Sequence, residues 1–265
     1  MEIDGVHGDR RQWEQRLEGV GDPNEVFFAW YDTTRLRWYG PRRQGLSLEI
    51  GPGSGHFTAE ARIAVAVDVS HANLLTLREK TGCCCVVADA ARLPFRDGSF
   101  AVVYTNDVVH HLKAQGVLEP AAHEVYRVLK NAGAWCVSDR LPSFYNSLTL
   151  ALSAGGRKIF LALASLLRHV PVLSGSDDEP PLTPDDYAVL ERDMEVISKK
   201  PWRGWLVFWV YGGCQFLRLV LPRQSAFRLA SRAVALLETM EQATPKSLKC
   251  DVCLTMIKRL KHADS

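Results

Sequence analysis

Between Leu46 and Asp139 short apolar runs follow one another, and each ends in an acid, an amide or a glycine turn. "LSLEI" (Leu46–Ile50) carries Glu49 and leads into Gly51, Gly53 and Gly55. "IAVAVDV" (Ile63–Val69) carries Asp68, and "CCCVVADA" (Cys83–Ala90) carries Asp89. "FAVVYTND" (Phe100–Asp107) ends in Asn106 and Asp107, and "AWCVSD" (Ala134–Asp139) in Asp139. Runs this short and this apolar read as strands buried on both faces. Helical stretches separate them. The one from His71 to Lys80 is predicted to bury Leu74, Leu75 and Leu77, and the one over Pro120–Leu129 to exit near Gly133. Strand and helix in alternation build an α/β protein with a parallel sheet. Ligands of such a sheet bind beyond the carboxyl ends of the strands, where the strand order reverses.

The polar groups sit at those ends. A glycine loop lets backbone N–H groups come close to a ligand. Asp68 lies seventeen positions after Gly51, the reach needed for a ribose diol. Asp89 with the Ala90 amide suits an adenine edge. Taken singly, a G-x-G-x-G is a weak sign, and a strand-end acid is more often a cap or turn residue. Four strand ends in order carry the reading. The even spacing of Gly51, Gly53 and Gly55 also departs from G-x-G-x-x-G, which argues against a dinucleotide.

"LEIGPGSGHF", "AVDVS", "ADAARLPFRDGSFAVVYTNDVVHHL" and "EVYRVLKNAGAWCVSD" resemble the successive motifs of class I S-adenosylmethionine-dependent methyltransferases. The nearest branch is the small-molecule one often called type 11. The likeness is strong from about Leu46 to Arg140; "MEVISKKPW" and the last strand, "CDVCLTMIKR", extend it weakly. It implies a Rossmann-like, seven-stranded, mostly parallel sheet with helices on both faces, an N-terminal helical cap and helical lid insertions. It implies S-adenosylmethionine as cofactor, with S-adenosylhomocysteine as product. Glu49, Gly51, Gly53 and Gly55 would flank the methionine portion, Asp68 the ribose, Asp89 and Ala90 the adenine, and Asn106 the sulfonium end. The aromatic N-terminal segment would close over the cofactor, with Tyr31 or Tyr39 at the methionine end. "LKNAG" (Leu129–Gly133) stands where the family has "LKPGG", a turn position.

Methyl transfer from a sulfonium needs the acceptor in line and close, and a hydroxyl acceptor also profits from a general base. His110 and His111 follow the fourth strand and are the candidates, His111 narrowly ahead; Asp139 and Tyr145 come after them. The bland reading is that one histidine packs under the next helix. Seven cysteines in a chain of this length do not make a disulfide scaffold. Adjacent strand residues face opposite ways, so Cys83, Cys84 and Cys85 are not expected to share a site. Cys250 and Cys253 make one C-x-x-C, too few ligands for structural zinc, and read as packing residues; no metal is expected.

The expected organisation is an N-terminal cap (1–45), a cofactor-binding core (46–140), an apolar basic insertion (141–182), a core helix and strand (183–200), an aromatic-rich insertion (201–249) and a final core strand (250–265). "TPDD" (Thr183–Asp186) is a helix start, with Thr183 as cap and Pro184 in the first turn. Arg140–Ser176 and Lys199–Leu237 contain no Asp or Glu but several Lys and Arg, together with the runs "IFLALASLL" and "WLVFWVYGGCQFLRLVL". These insertions read as a lid over a small hydrophobic acceptor, as a peripheral contact with an anionic membrane, or as a homodimer interface. A net charge of +2 gives no reason to expect nucleic acid. An RNA methyltransferase of the same fold, or a catalytically silent cofactor-binding partner subunit, are the rival readings. With no secretory signal and no apolar run long enough to span a bilayer, a cytoplasmic setting is expected, with membrane association as the alternative.

Overall fold

The apolar runs fold as strands: β1 (Ser47–Ile50), β2 (Val65–Asp68), β3 (Cys84–Val87), β4 (Phe100–Asn106), β5 (Leu129–Arg140), β6 (Met194–Gly204) and β7 (Lys249–Lys258). The helices are α1 (Pro23–Tyr39), α2 (His56–Ala61), α3 (His71–Thr81), α4 (Val109–Ala114), α5 (Leu118–Val128), α6 (Pro184–Glu191), α7 (Leu206–Val220) and α8 (Arg223–Ala243). The computed structural model describes residues 23–40, 43–53, 55–140, 182–204, 206–243 and 249–259. Residues 1–22 and 141–181, which include Tyr145 and the run "IFLALASLL", lie outside the described residues. So do Trp205 and the side chains of Phe208, Trp209 and Cys250.

Two compact units divide the chain. One comprises Trp38–Asn146, Asp178–Trp202 and Cys250–Ser265; the other comprises Met1–Arg37, Ser147–Asp177 and Arg203–Lys249.

The first unit holds a seven-stranded sheet in the order β3-β2-β1-β4-β5-β7-β6, the mostly parallel α/β architecture expected from the sequence. β1 pairs in parallel with both β2 and β4, and the antiparallel member is β7, which runs against β5 from Ala134↔Ile257 to Arg140↔Asp251. The order reverses between β1 and β4. Leu48, Val67, Val103, Val137 and Leu254 are fully buried along the middle of the sheet, so the apolar runs are apolar because helices cover both faces. α5 contributes the stripe Leu118, Ala121, Ala122, Val125 and Val128, one face of a helix at spacings of three and four.

Three expectations are corrected. Leu75 is 51% exposed while Leu74 and Leu77 are buried. A helix turns about 100° per residue, so positions 74 and 77 share a face that 75 leaves. α5 does not exit at Gly133: it ends at Val128, and Leu129 is already extended and paired with Phe100. The four residues up to Gly133 bulge out before pairing resumes at Val102↔Ala134. There Ala132 takes the left-handed turn (φ 57°), and a Cβ on Gly133 would lie 2.8 Å from the Lys130 carbonyl oxygen. Last, Cys83 and Cys85 do come together, with their sulfurs 3.6 Å apart. Residues two apart in extended chain share a side, and only Cys84 faces away. β6 also runs on to Gly204, so the buried Trp202 belongs to the sheet. The start of α6 is as read: Thr183 and Asp186 form a reciprocal capping box, with Pro184 in the first turn.

The second unit is helical in its described parts. α7 and α8 pack together. Phe27 of α1 lies 5.1 Å from Tyr211 of α7 between ring centres and stacks on Tyr31 at 5.6 Å. Arg35 is buried, its guanidinium 4.4 Å above the Tyr31 ring and 3.1 Å from Asp32, which neutralises it. Among the described residues no helix is long and apolar enough to cross a membrane.

Candidate functional site

At the reversal point the loop after β1 turns on three glycines. Gly51, Gly53 and Gly55 all have positive φ (66°, 52° and 78°), a conformation that costs other residues about 1–2 kcal/mol. The loop is pinned by Gly51 N–H donating to the Val67 carbonyl (2.8 Å) and Gly55 N–H to that of Pro52 (2.9 Å). Neighbours press on two of the three. A Cβ on Gly51 would lie 2.5 Å from Val108 Cγ2, and one on Gly55 2.3 Å from Leu77 Cδ1. Among the described residues nothing stands within 4 Å of a Cβ placed on Gly53. Among the described residues the loop is thus packed at Gly51 and Gly55 and bare at Gly53, a backbone cradle with one open side.

Beneath it runs a buried polar chain. Thr58 Oγ1 donates to Glu49 Oε2 (2.6 Å), Asn106 Nδ2 to Glu49 Oε1 (3.4 Å), and Tyr39 Oη to Asn106 Oδ1 (2.6 Å). Glu49 is 1% exposed, Asn106 and Tyr39 8% each. The hydroxyl of Tyr39 fixes which way the Asn106 amide points, and so hands its N–H₂ to Glu49. Of the predicted residues the structure brings Glu49, Asn106 and Tyr39 together. Tyr31 belongs to the helical unit, where its ring stacks on Phe27 and lies under the Arg35 guanidinium.

Asp68 closes β2. Its Oδ1 accepts the Ser70 N–H (2.8 Å), a turn that also sets Ser70 as the cap of α3. Asp89 lies past the end of β3, exposed, with Oδ1 accepting the Ala91 N–H (2.8 Å), and Ala90 is buried. Beside them Val69 and Val87 are left 71% and 53% exposed, large apolar residues at the carboxyl ends of two strands. The reading from sequence missed these, although "DVS" and "VVAD" display both.

The segment from Asp89 to β4 is held by a residue the sequence reading also missed. Arg127 donates to the carbonyls of Leu93 and Phe95, to Asp97 and, through two nitrogens, to Glu124. Glu124 in turn accepts the Leu93 N–H (2.8 Å). Hydrogen bonding from Arg127 is the main cause that holds the Glu124 carboxyl below its ordinary value, against the opposing effect of burial.

On the other side of the reversal, Asp107 turns the chain out of β4 with φ 54° and donates its N–H to the Ser138 carbonyl. His110 follows, 1% exposed, its Nδ1 2.7 Å from Asp139 Oδ1; its backbone N–H reaches Asp139 Oδ2 (3.2 Å). Asp139 is fully buried. One carboxylate therefore holds both the ring of His110 and the start of α4. His111 is half-buried, its ring centre 4.2 Å from that of His110. Among the described residues no three His, Cys, Asp or Glu cluster as metal ligands would.

Residues 48–137 match the family model described as a methyltransferase domain. Over 112 residues the chain is 30% identical to an uncharacterised protein of Methanocaldococcus jannaschii, covering 42% of this chain and 51% of that one. Over 127 residues it is 30% identical to the malonyl-[acyl-carrier protein] O-methyltransferase of Legionella pneumophila, covering 44% and 43%. The chain thus aligns with about half the length of these curated relatives. A solved SAM-dependent methyltransferase of Thermotoga maritima superposes with a TM-score of 0.53 at 14% identity, over 96% of this chain and 98% of that one. At that identity it is the fold that is shared.

Proposed function

We propose that the chain, whose residues 48–137 match a methyltransferase-domain model and carry the parallel sheet order described above, is an S-adenosylmethionine-dependent methyltransferase acting on a small, hydrophobic acceptor. The observation that carries the reading is the left-handed glycine loop, bare at Gly53, above the buried bonds that join Tyr39, Asn106 and Glu49. The residues present fit the cofactor. Gly53 leaves backbone accessible where a side chain would stand, and Asp68 offers a carboxylate whose described bond uses one oxygen. Val69 and Val87 offer apolar cover for a flat ring next to Asp89.

When bound, S-adenosylmethionine supplies an electrophilic methyl together with its leaving group. The chain's own residues have other work. Glu49, fixed by Thr58 and Asn106, keeps both carboxyl oxygens oriented beside the glycine loop. Asp68 would take the ribose hydroxyls, and Asp89 and Ala90 the adenine. His111 would accept the acceptor's proton, while Asp139, through His110, positions the turn that carries it. The hydrophobic acceptor is supported by the aromatic cluster of the helical unit and by the absence of acids from Lys199 to Leu237.

Release of S-adenosylhomocysteine over a panel of lipids and small aromatic acceptors tests the proposal. Turnover with one of them is expected. Tight cofactor binding with no turnover on any acceptor would instead favour a silent partner subunit. For an acceptor hydroxyl, His111→Ala should lower kcat by about 10²–10⁴ with cofactor affinity kept. A fully active His111→Ala enzyme would remove the base.

A further inference from the structure

Two thiols stand together at β3, the strand that ends the sheet order on its side. Cys83 Sγ and Cys85 Sγ are 3.6 Å apart, in van der Waals contact, while Cys84 between them is exposed. Both pack against the cluster formed by Ala66, Leu74 and Leu77, and Leu77 is the residue whose Cδ1 fills the space a Cβ on Gly55 would need. The two sulfurs differ in backbone setting. Cys85 lies in the ladder, paired with Ala66. Cys83 sits before the strand, after the left-handed Gly82 that ends α3, and its N–H is taken by Thr81 Oγ1. A residue in a turn can shift to bring its sulfur closer without breaking strand pairing.

We propose that Cys83 and Cys85 form a redox modification site, a dithiol that closes into an intrachain disulfide by exchange with a small-molecule disulfide of the glutathione type. The Cys83 thiolate attacks one sulfur of the disulfide, forming a mixed disulfide and expelling one thiolate. The Cys85 thiolate then attacks the Cys83 sulfur, forming the Cys83–Cys85 bond and expelling the second thiolate. The protein dithiol loses two electrons and two protons, and the small disulfide is reduced to two thiols. Cys85 acts second because burial, then its contact with Cys83, pushes its thiol up to about 11. A thiol that is hard to ionise makes a slow nucleophile but a disulfide that resists reduction. Closure shortens the sulfur–sulfur distance from 3.6 Å to the ~2.05 Å of a bond and shifts both side chains against the cluster that contains Leu77. The consequence rests on the cofactor reading: because Leu77 abuts Gly55, oxidation disturbs the glycine loop and weakens cofactor binding.

The test uses the full chain with Cys84→Ser, equilibrated over a series of reduced-to-oxidised glutathione ratios, alkylated and digested with trypsin. Both cysteines fall in the peptide Thr81–Arg92. At oxidising ratios that peptide should escape alkylation and weigh two hydrogens less, and dithiothreitol should reverse this. With Cys83→Ser added, Cys85 should carry no more than a mixed disulfide. A peptide alkylated at both positions throughout, or glutathione left on Cys83 without closure, overturns the site. Calorimetric titration with S-adenosylmethionine before and after oxidation should show affinity falling about tenfold and recovering on reduction. A disulfide that forms with affinity unchanged removes the link through Leu77. Failure of the reduced protein to bind the cofactor would count against the methyltransferase reading and leave the disulfide result standing.

Discussion

At the scale of single residues the three glycines of the loop are not equivalent, though the sequence spaces them evenly. Gly51 and Gly55 combine positive φ with a neighbour inside 3 Å of a Cβ, whereas Gly53, among the described residues, has the positive φ alone. Gly51→Ala should therefore cost about 2 kcal/mol or more of stability, adding displacement of Val108 to the left-handed strain. Gly53→Ala should cost only about 1 kcal/mol yet lose more cofactor affinity, because its methyl enters the open side of the cradle. Urea unfolding and calorimetric titration of the two variants check this, and equal affinity losses would remove the distinction. The sequence made each glycine visible but not this division, which depends on Val108 and Leu77 arriving from elsewhere in the chain. The bonds from Tyr39 to Asn106 and from Thr58 to Glu49 were hidden for the same reason. Tyr39 is sixty-seven positions from its partner, and no local pattern marks such a pair.

Among elements, those with a local physical signature were read closely. The capping box of α6 needs four residues in a row, and all four are in "TPDD". The exit of α5 was misread because a glycine after a helix is its usual stop. Here another element provides the stop: Lys258 of β7 donates to the carbonyls of Tyr126 (2.8 Å) and Leu129 (2.9 Å), with its ammonium 4.4 Å above the Tyr126 ring. The same helix organises the loop before β4 through Arg127 and Glu124, and this arrangement has a pH signature. The folded-state value of Glu124 is depressed below the ordinary 4.5, so its contribution is fully present above about pH 4.5 and is lost as pH falls through the lower folded value. Wild type should exceed Glu124→Gln by about 1–2 kcal/mol from pH 7 down to about 5, the worth of a charge-assisted hydrogen bond. The gap should then close as the pH falls further. Urea midpoints taken from pH 7 to 3 measure it; a gap that stays constant to pH 3 would mean that the carboxylate charge is not what matters.

For the molecule as a whole, the sheet was legible because parallel strands covered on both faces must be apolar runs, and their ligand-facing ends must be polar. The helical unit was less so, since an aromatic, acid-free helix serves a lid, a membrane surface or a subunit contact equally well. What the sheet reading requires can be measured without knowing the acceptor. A ligand that binds the folded chain alone stabilises it by about 2.7 kcal/mol at a hundredfold excess over Kd. For a chain of this size that is a rise in Tm of roughly 5–10 °C. S-adenosylmethionine and S-adenosylhomocysteine should both produce it in a thermal melt, and a nicotinamide dinucleotide should not. Asp68→Ala should change the ligand-free melt little, on the order of 1 kcal/mol, because its described bond is a local turn to Ser70. The same substitution should abolish most of the ligand-induced rise, since the ribose would lose its carboxylate. A rise that survives Asp68→Ala would separate Asp68 from the ribose. No rise with either sulfur cofactor would leave the glycine loop as a structural turn.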